Sequence, residues 1–413
     1  MIQFIFPFSQ ILTMRHLSLK GALQDSQLEV IENGAILIEN DTIIEVDSFI
    51  NLLPKAQQLK ATFVVIDEKM VLTAGLIDAH THICYAGSRA GDFSKRLGGK
   101  TYLEIAREGG GILYSVEKTR QASENELKES LIKRANRHFE EGVTTCEVKS
   151  GYGLNVNDEL KMLRAIQKAN QVTAIDLIST CLAAHTIPKE FLGRANDYLT
   201  MLSQELLPQI KKEKLSNRID IFVEDTAFNV VEAKKYIQFA KELGFEITVH
   251  SDQFHPEASI LAVEMKALSA DHLEASTEKE IKIIANSDTV ATILPGACLG
   301  LGIQMPPARQ LLDAGACLAI ATDWNPGSAP MGDLLTQTSI VGTYQKLSIA
   351  ELWAGITFRA AKALNINNIG KIEKNYRADL LAFPTDDYRE ILYAQGKLKP
   401  TMIWKNGTLL YNS

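Results

Sequence analysis

Eight short apolar runs, separated by stretches with helical signals, set the strongest limit on what this chain can fold into. They read GLIDAHTH, GVTTCEVKSG, IDLISTCLAAH, RIDIFVEDTAF, FEITVHSDQF, KALSADHLE, TVATILPGA and CLAIATDWNPG. Most of them follow a glycine or a charged boundary. The segments between them carry helix punctuation. Ser123 followed by Glu126 opens SENELKESLIKRANRHFEE as a capping box, and Gly142 stops it. EAKKYIQFAKELG ends on Gly244 in the same way. Eight βα units over roughly 250 residues predict a parallel (β/α)8 TIM barrel. A doubly wound open sheet is the competing architecture.

The two ends of the chain read differently. QILTM, GAILIENDTIIEV and TFVVIDEKMVL near the start alternate apolar and polar positions and are split by turn residues. ADLLAFP and PTMIWKNGTLLY near the end do the same. Both termini are expected to build one small β-sandwich. The expected division is residues 1–73 and 366–413 for the composite sandwich and 74–365 for the barrel.

Composition narrows the function. The formal charge is −7 with no basic block, which argues against a nucleic-acid partner. Cys84, Cys146, Cys181, Cys298 and Cys317 show no CxxC and no regular spacing, so they read as free thiols of a reducing compartment. MIQFIFPFSQILTM lacks a basic leader and a cleavage site, and it is too short to span a bilayer. The uncharged stretch from Thr289 to Ala308 is interrupted by Pro295, Gly296, Gly300, Gly302 and Pro306, which no membrane helix would tolerate. A cytoplasmic protein without a membrane partner is expected.

In such barrels the chemistry sits where strands end. Here the ends carry His80 and His82, Lys149 and Tyr152, His185, Glu224 and Asp225, His250, His272, Pro295 and Asp323. A lone histidine is more often a core or surface residue than a ligand. Five of the chain's eight histidines at strand ends point instead to a metal. His80 and His82 stand at i and i+2 of a strand, so both rings point to one side. His250 and Asp323 would add a third nitrogen and a carboxylate oxygen, a donor set suited to zinc or iron with room for water.

LTAGLIDAHTH, the histidine ending a fifth strand, SADH ending a sixth and ATD ending an eighth resemble the amidohydrolase superfamily. Within it, HTHICYAGSRAGDF, KTYLEIAREGGGI, TTCEVKSGYGL, AAHTIP, SADHLE, ILPG and ATDWNPGSAP are similar to the imidazolonepropionase family along almost the whole chain. The resemblance implies a barrel flanked by a composite β-sandwich and one metal, Zn²⁺ or Fe³⁺. It also implies a homodimer and hydrolysis of 4-imidazolone-5-propanoate to N-formimidoyl-L-glutamate in histidine breakdown. It puts Arg89, Tyr152 and His185 on the substrate, Asn325, Gly327 and Ser328 around the product's glutamate end, and Tyr102 nearby. The first loop, with Cys84-Tyr85, departs from the family pattern, and the C-terminal run DDYREILYAQGKLKPTMIWKNG matches loosely.

Elementary chemistry agrees with that implication. Opening a cyclic amide needs an activated water and a polarised carbonyl, and a metal supplies both. Asp323 is expected to take the water's proton and pass it to the leaving ring nitrogen. His272 is expected to hydrogen-bond either the attacking water or the oxyanion. Arg89 is the expected cation for the propionate. Deaminases of the superfamily place a glutamate three residues after the fifth-strand histidine, where this chain has Gln253. An amide carries no proton at neutral pH, so Gln253 becomes a substrate-recognition candidate. Asp252 should face away.

Binuclear members use a lysine at the end of strand four, but here the lysine is Lys149 on strand two, expected to be structural. Glu147, Glu224 and Asp225 are candidates to orient other site residues. Cys84 is expected to be a buried apolar filler before it is a ligand. A catalytically dead scaffold would have lost ligands that this chain keeps.

Overall fold

The computed structural model describes residues 1–100, 104–105, 108–225 and 227–412. Each of the eight apolar runs contains a strand: Leu76–Asp78, Val143–Lys149, Asp176–Ala184, Arg218–Phe222, Glu246–Ser251, Ser269–His272, Val290–Ile293 and Leu318–Ile320. Each pairs in parallel with the next in sequence order. The first and last then meet. Thr81 bridges Trp324 in parallel. His82 N donates to Trp324 O at 2.9 Å, and Asp323 N donates to His80 O at 3.0 Å. Asp78 reinforces the seam by accepting from Thr322 N at 3.0 Å and from Thr322 Oγ1 at 2.5 Å. The sheet is therefore a closed barrel and not an open, doubly wound one. Closure brings the two ends of the site, His80–His82 and Asp323, side by side.

The helices follow from local sequence. Glu124–Glu140 starts on the Ser123–Glu126 capping box, with both reciprocal bonds formed. It buries Leu127, Leu131, Ala135, His138 and Phe139 as one stripe. Gly142, at φ +100°, ends it in a conformation that L side chains avoid. Val230–Glu242 is capped by Asn229 and stops just before Gly244. Thr289–Ala308 holds the strand Val290–Ile293 and the helix Pro295–Leu301. Among the described residues no helix is long and apolar enough to cross a membrane.

The termini form one mixed eight-stranded sheet. The apolar N-terminal run is its central strand, Ile2–Leu12, longer than the QILTM read from sequence. It pairs antiparallel with Val30–Glu39 and parallel with Thr62–Val65 and Val71–Ala74. Leu380–Phe383 from the other end of the chain pairs antiparallel with Val71–Ala74. Strand alternation gives the sheet two apolar faces. Ile36 and Ile38 join Phe8 and Trp404 on one side. Ala35 and Leu37 join Phe4 on the other, covered by Leu52 and Ala56 of the helix Phe49–Gln58.

Candidate active site

The barrel places four ligand-type atoms together at its C-terminal end. His80 Nε2 lies 3.2 Å from His82 Nε2, and His82 Nε2 lies 3.3 Å from His250 Nε2. Asp323 Oδ1 stands 3.5 Å from His80 Nε2 and 3.3 Å from His82 Nε2. All four side chains are buried. The outer nitrogens explain the orientation: His80 Nδ1 is 2.7 Å from Asp271 Oδ2, and His250 Nδ1 is 2.7 Å from Asp220 Oδ2. Protons on those nitrogens leave the Nε2 lone pairs of His80 and His250 facing inward, where lone pairs repel unless a positive charge lies between them.

The electrostatics show the same demand. Burial and Lys149 oppose a charge on His80, yet Asp271 and Asp323 pull its pKa up to about 9. Asp323 is held well below the ordinary carboxylate range despite its burial, through His80 and His82. His80, His82 and Asp323 offer ligand atoms within 4.8 Å of one another, and His250 Nε2 lies 3.3 Å from His82 Nε2. Three nitrogens and one carboxylate oxygen are a donor set suited to zinc or iron.

A second layer of charge lies directly beneath. Lys149 Nζ stands 2.7 Å from Glu147 Oε2, 2.8 Å from Asp220 Oδ2 and 3.8 Å from Asp271 Oδ2. Thr180 Oγ1 donates to Glu147 Oε1 at 2.6 Å. Lys149 thus links the two carboxylates that orient His80 and His250. Sequence reading found Lys149 and Glu147 but passed over Asp220 and Asp271. Their signal was available: each is an aspartate within a short barrel strand, in RIDIF and SADH.

The substrate-side candidates surround this cluster. The His185 ring stacks on His82 at 5.1 Å between centroids, and its Nδ1 meets Gly151 O at 3.1 Å. Burial, then neighbouring His82, pushes its pKa down to about 3, so it is neutral. Tyr152 is buried, its ring 5.6 Å from that of His185. The loop carrying Tyr152 is pinned by buried Glu159, which accepts from the backbone nitrogens of Gly151, Gly153 and Leu154 at 3.1, 2.7 and 2.8 Å. Glu159 was not anticipated.

Arg89 is nearly buried, with Nε 2.9 Å from Asp92 Oδ2. Its guanidinium lies against Gly327, where an added Cβ would fall 2.2 Å from Nη1. A side chain there would have to displace the guanidinium. Asn325 shapes the same loop: its Oδ1 accepts from Gly327 N at 2.7 Å and Ser328 N at 2.8 Å, and its Nδ2 donates to Asp323 Oδ2 at 2.9 Å. His272 sits beside His250, with ring centroids 5.2 Å apart. Gln253 follows the fifth strand, half-buried. Tyr102 lies outside the described residues.

Other candidates fall away. Glu224 is turned to the backbone nitrogens of Phe254 and His255 and to the His255 ring, and the Asp225 side chain is exposed, so neither orients the cluster. The strand-four end swings outward after Phe222, which sequence alternation alone did not reveal. Asp252 caps Ser259 N at 2.9 Å and accepts from Ser276 Oγ at 2.7 Å, away from the cluster as expected. Cys84 is fully buried, its thiol 3.9 Å from Met162 O, and burial pushes its pKa up to about 12. It is packing, not a ligand.

Fold and cluster together define a class: a (β/α)8 enzyme with a buried His/Asp cluster of metal-binding type at the strand ends. Comparison with known proteins agrees. The sequence profile of the Amidohydrolase family matches residues 71–410. An imidazolonepropionase from Bacillus mycoides is 38% identical over 387 residues, covering 93% of this chain and 90% of that protein. One from Bacillus cytotoxicus is 39% identical over 391 residues, with the same coverage. Among solved structures, an atrazine chlorohydrolase from Arthrobacter aurescens TC1 complexed with zinc superimposes with a TM-score of 0.72 at 15% identity, covering 99% of this chain and 95% of that one. An adenosine deaminase from Xanthomonas campestris with bound zinc gives 0.68 at 16% identity, covering 99% and 93%. At that identity the likeness shows the fold. The chain belongs to the amidohydrolase family and, within it, to the imidazolonepropionases.

Proposed function

We propose that this protein hydrolyses the cyclic amide bond of 4-imidazolone-5-propanoate to give N-formimidoyl-L-glutamate. The observation that carries the reading is the convergence of His80, His82, His250 and Asp323 in a chain nearly two-fifths identical to imidazolonepropionases. These four residues would hold one Zn²⁺ or Fe³⁺, which when bound polarises a carbonyl and lowers the pKa of water towards neutrality.

The remaining roles belong to the chain's own groups. Asp323 keeps one oxygen towards the histidines and shares the other with Asn325, so it can take a proton from the attacking water and return it to the leaving ring nitrogen. Asp92 takes Arg89 Nε, which leaves the guanidinium's outer fork for the substrate propionate. Neutral His185, with Tyr152 beside it, offers uncharged polar contacts to the imidazolone ring. Gln253 can both donate to and accept from that ring. The loop of Asn325, Gly327 and Ser328, held by Asn325 Oδ1 accepting from both following amides, would surround the glutamate end of the product. His272 would hydrogen-bond either the attacking water or the developing oxyanion.

The test is the absorbance decay of imidazolonepropionate made in the same cuvette by urocanase, with a no-enzyme blank for spontaneous loss. Accelerated decay that stops with a chelator and returns with zinc or iron is expected. No acceleration by metal-replete protein sinks the assignment.

A further inference from the structure

We propose that Glu274 is a positioning residue that fixes the tautomer of His272, making its Nε2 an acceptor for the attacking water and not a donor to the oxyanion. The sixth barrel strand ends at His272, and the backbone turns there through the left-handed region, with φ +89° at His272 and +73° at Leu273. Non-glycine residues are strained in that region, and such strain gathers at functional sites. The turn brings Glu274 back onto the ring two residues before it. His272 Nδ1 lies 3.3 Å from Glu274 Oε1.

Both residues are buried. The same oxygen accepts from Cys298 Sγ at 3.3 Å, out of the helix Pro295–Leu301. Burial beside Glu274 pushes that thiol well above its ordinary range, so Cys298 stays a donor. An oxygen that accepts from Cys298 accepts from His272 too, which places the ring proton on Nδ1 and the lone pair on Nε2. A ring nitrogen of His272 lies within 4.8 Å of ring nitrogens of both His80 and His250, so the imidazole stands at the reacting centre. Glu274 touches neither that centre nor the four ligands. Its second oxygen, Oε2, is buried without a partner.

The inference rests on the reading that His272 works at the reacting centre of the proposed hydrolysis, and it decides between the attacking water and the oxyanion as its partner. Two variants of the zinc-loaded enzyme test it. E274Q preserves shape, but its amide can turn an NH₂ towards Nδ1 and favour the opposite tautomer. E274D is shorter yet remains an acceptor. With one metal per chain and the thermal midpoint checked for each, E274Q is expected to lose kcat by about 10-fold or more with KM within about 3-fold. E274D is expected to retain several-fold more kcat than E274Q. E274Q as active as E274D overturns the proposal, and so does a raised KM at unchanged kcat, which would put Glu274 on the substrate. ¹⁵N-histidine NMR of the wild-type zinc enzyme reads the tautomer without any variant: Nδ1–H is expected for His272, and Nε2–H overturns the proposal. A wild-type enzyme that turns over nothing would instead remove the activity reading, while the NMR result would still stand.

Discussion

Two groups of buried charge lie at opposite ends of the barrel. Beneath the histidine cluster, Lys149 faces Glu147, Asp220 and Asp271, all with side chains at most 1% exposed. Arg218, from the start of its strand, reaches Glu147 and the partly exposed Glu246 at 3.6 Å each. At the other end, Arg377 and Lys405 of the terminal sheet face Asp176 and Asp379 at 2.6–2.8 Å, with Asp176 34% exposed. The lower group balances two cations against two carboxylates and touches water. It docks the sheet onto the third barrel strand and needs nothing more. The upper group sets two cations against four carboxylates, Glu246 among them, and Asp323 adds a fifth above it. Largely shielded from water, that excess of negative charge calls for further positive charge, which a proton on His80 or a metal ion would supply. The two networks use the same residue types; charge balance and burial separate a docking device from a metal seat.

The comparison can be broken from its most sensitive point downward. On the proposed reading, Asp323→Asn removes both a ligand charge and the proton carrier. It is expected to lower kcat/KM by at least about 10³-fold, read in the coupled urocanase assay. Lys149→Met strips the cation from the sealed network and is expected to cost about 3–5 kcal/mol in chemical denaturation. It should also weaken zinc binding by about 10- to 100-fold, measured by chelator competition, because the carboxylates orienting His80 and His250 lose their common partner.

Arg89→Ala tests whether charge at the upper end also serves the substrate. KM for imidazolonepropionate is expected to rise by about 30-fold or more, with zinc stoichiometry unchanged. Lys405→Met is the matched change in the lower network: a loss of about 1–3 kcal/mol, with zinc affinity and KM as in the wild type. Equal effects of Lys149→Met and Lys405→Met on zinc binding would erase the distinction drawn above.

The smallest effect lies in the terminal sheet. Glu29 is partly buried, which raises its pKa, but Arg15 and Thr13 hydrogen bonds hold it below the ordinary value. A depressed folded pKa adds stability above the unfolded value, and that stability is lost as pH falls through the folded one. Glu29→Gln is therefore expected to flatten the decline of thermal midpoint between about pH 5 and pH 3, by no more than about 1 kcal/mol at the neutral end.

Much of this was legible in the chain. Parallel strands buried on both faces appear as short apolar runs, and the Ser123–Glu126 box and Gly142 mark helix ends through purely local bonding. His80 and His82 share a face because strand side chains alternate. Strand-end position singled out His250 and Asp323 from the same pattern. Other parts were invisible for stated reasons. The outward swing after Phe222, which removes Glu224 and Asp225 from the site, comes from the packing of a loop. The full length of the N-terminal strand was hidden because its apolar run has no alternation.

What the sequence determined by itself is what local physics encodes: the eight βα units, two apolar ends, and the residues able to bind a metal. What only the tertiary structure decided is which distant groups share a volume. Barrel closure through Asp78 and Thr322 sets Asp323 beside His80 and His82. Three strands deliver Lys149, Asp220 and Asp271 to one sealed layer, and a left-handed turn folds Glu274 onto His272. Charge, solvation and tautomer depend on neighbours in space, and the order of residues along the chain does not state which neighbours those are.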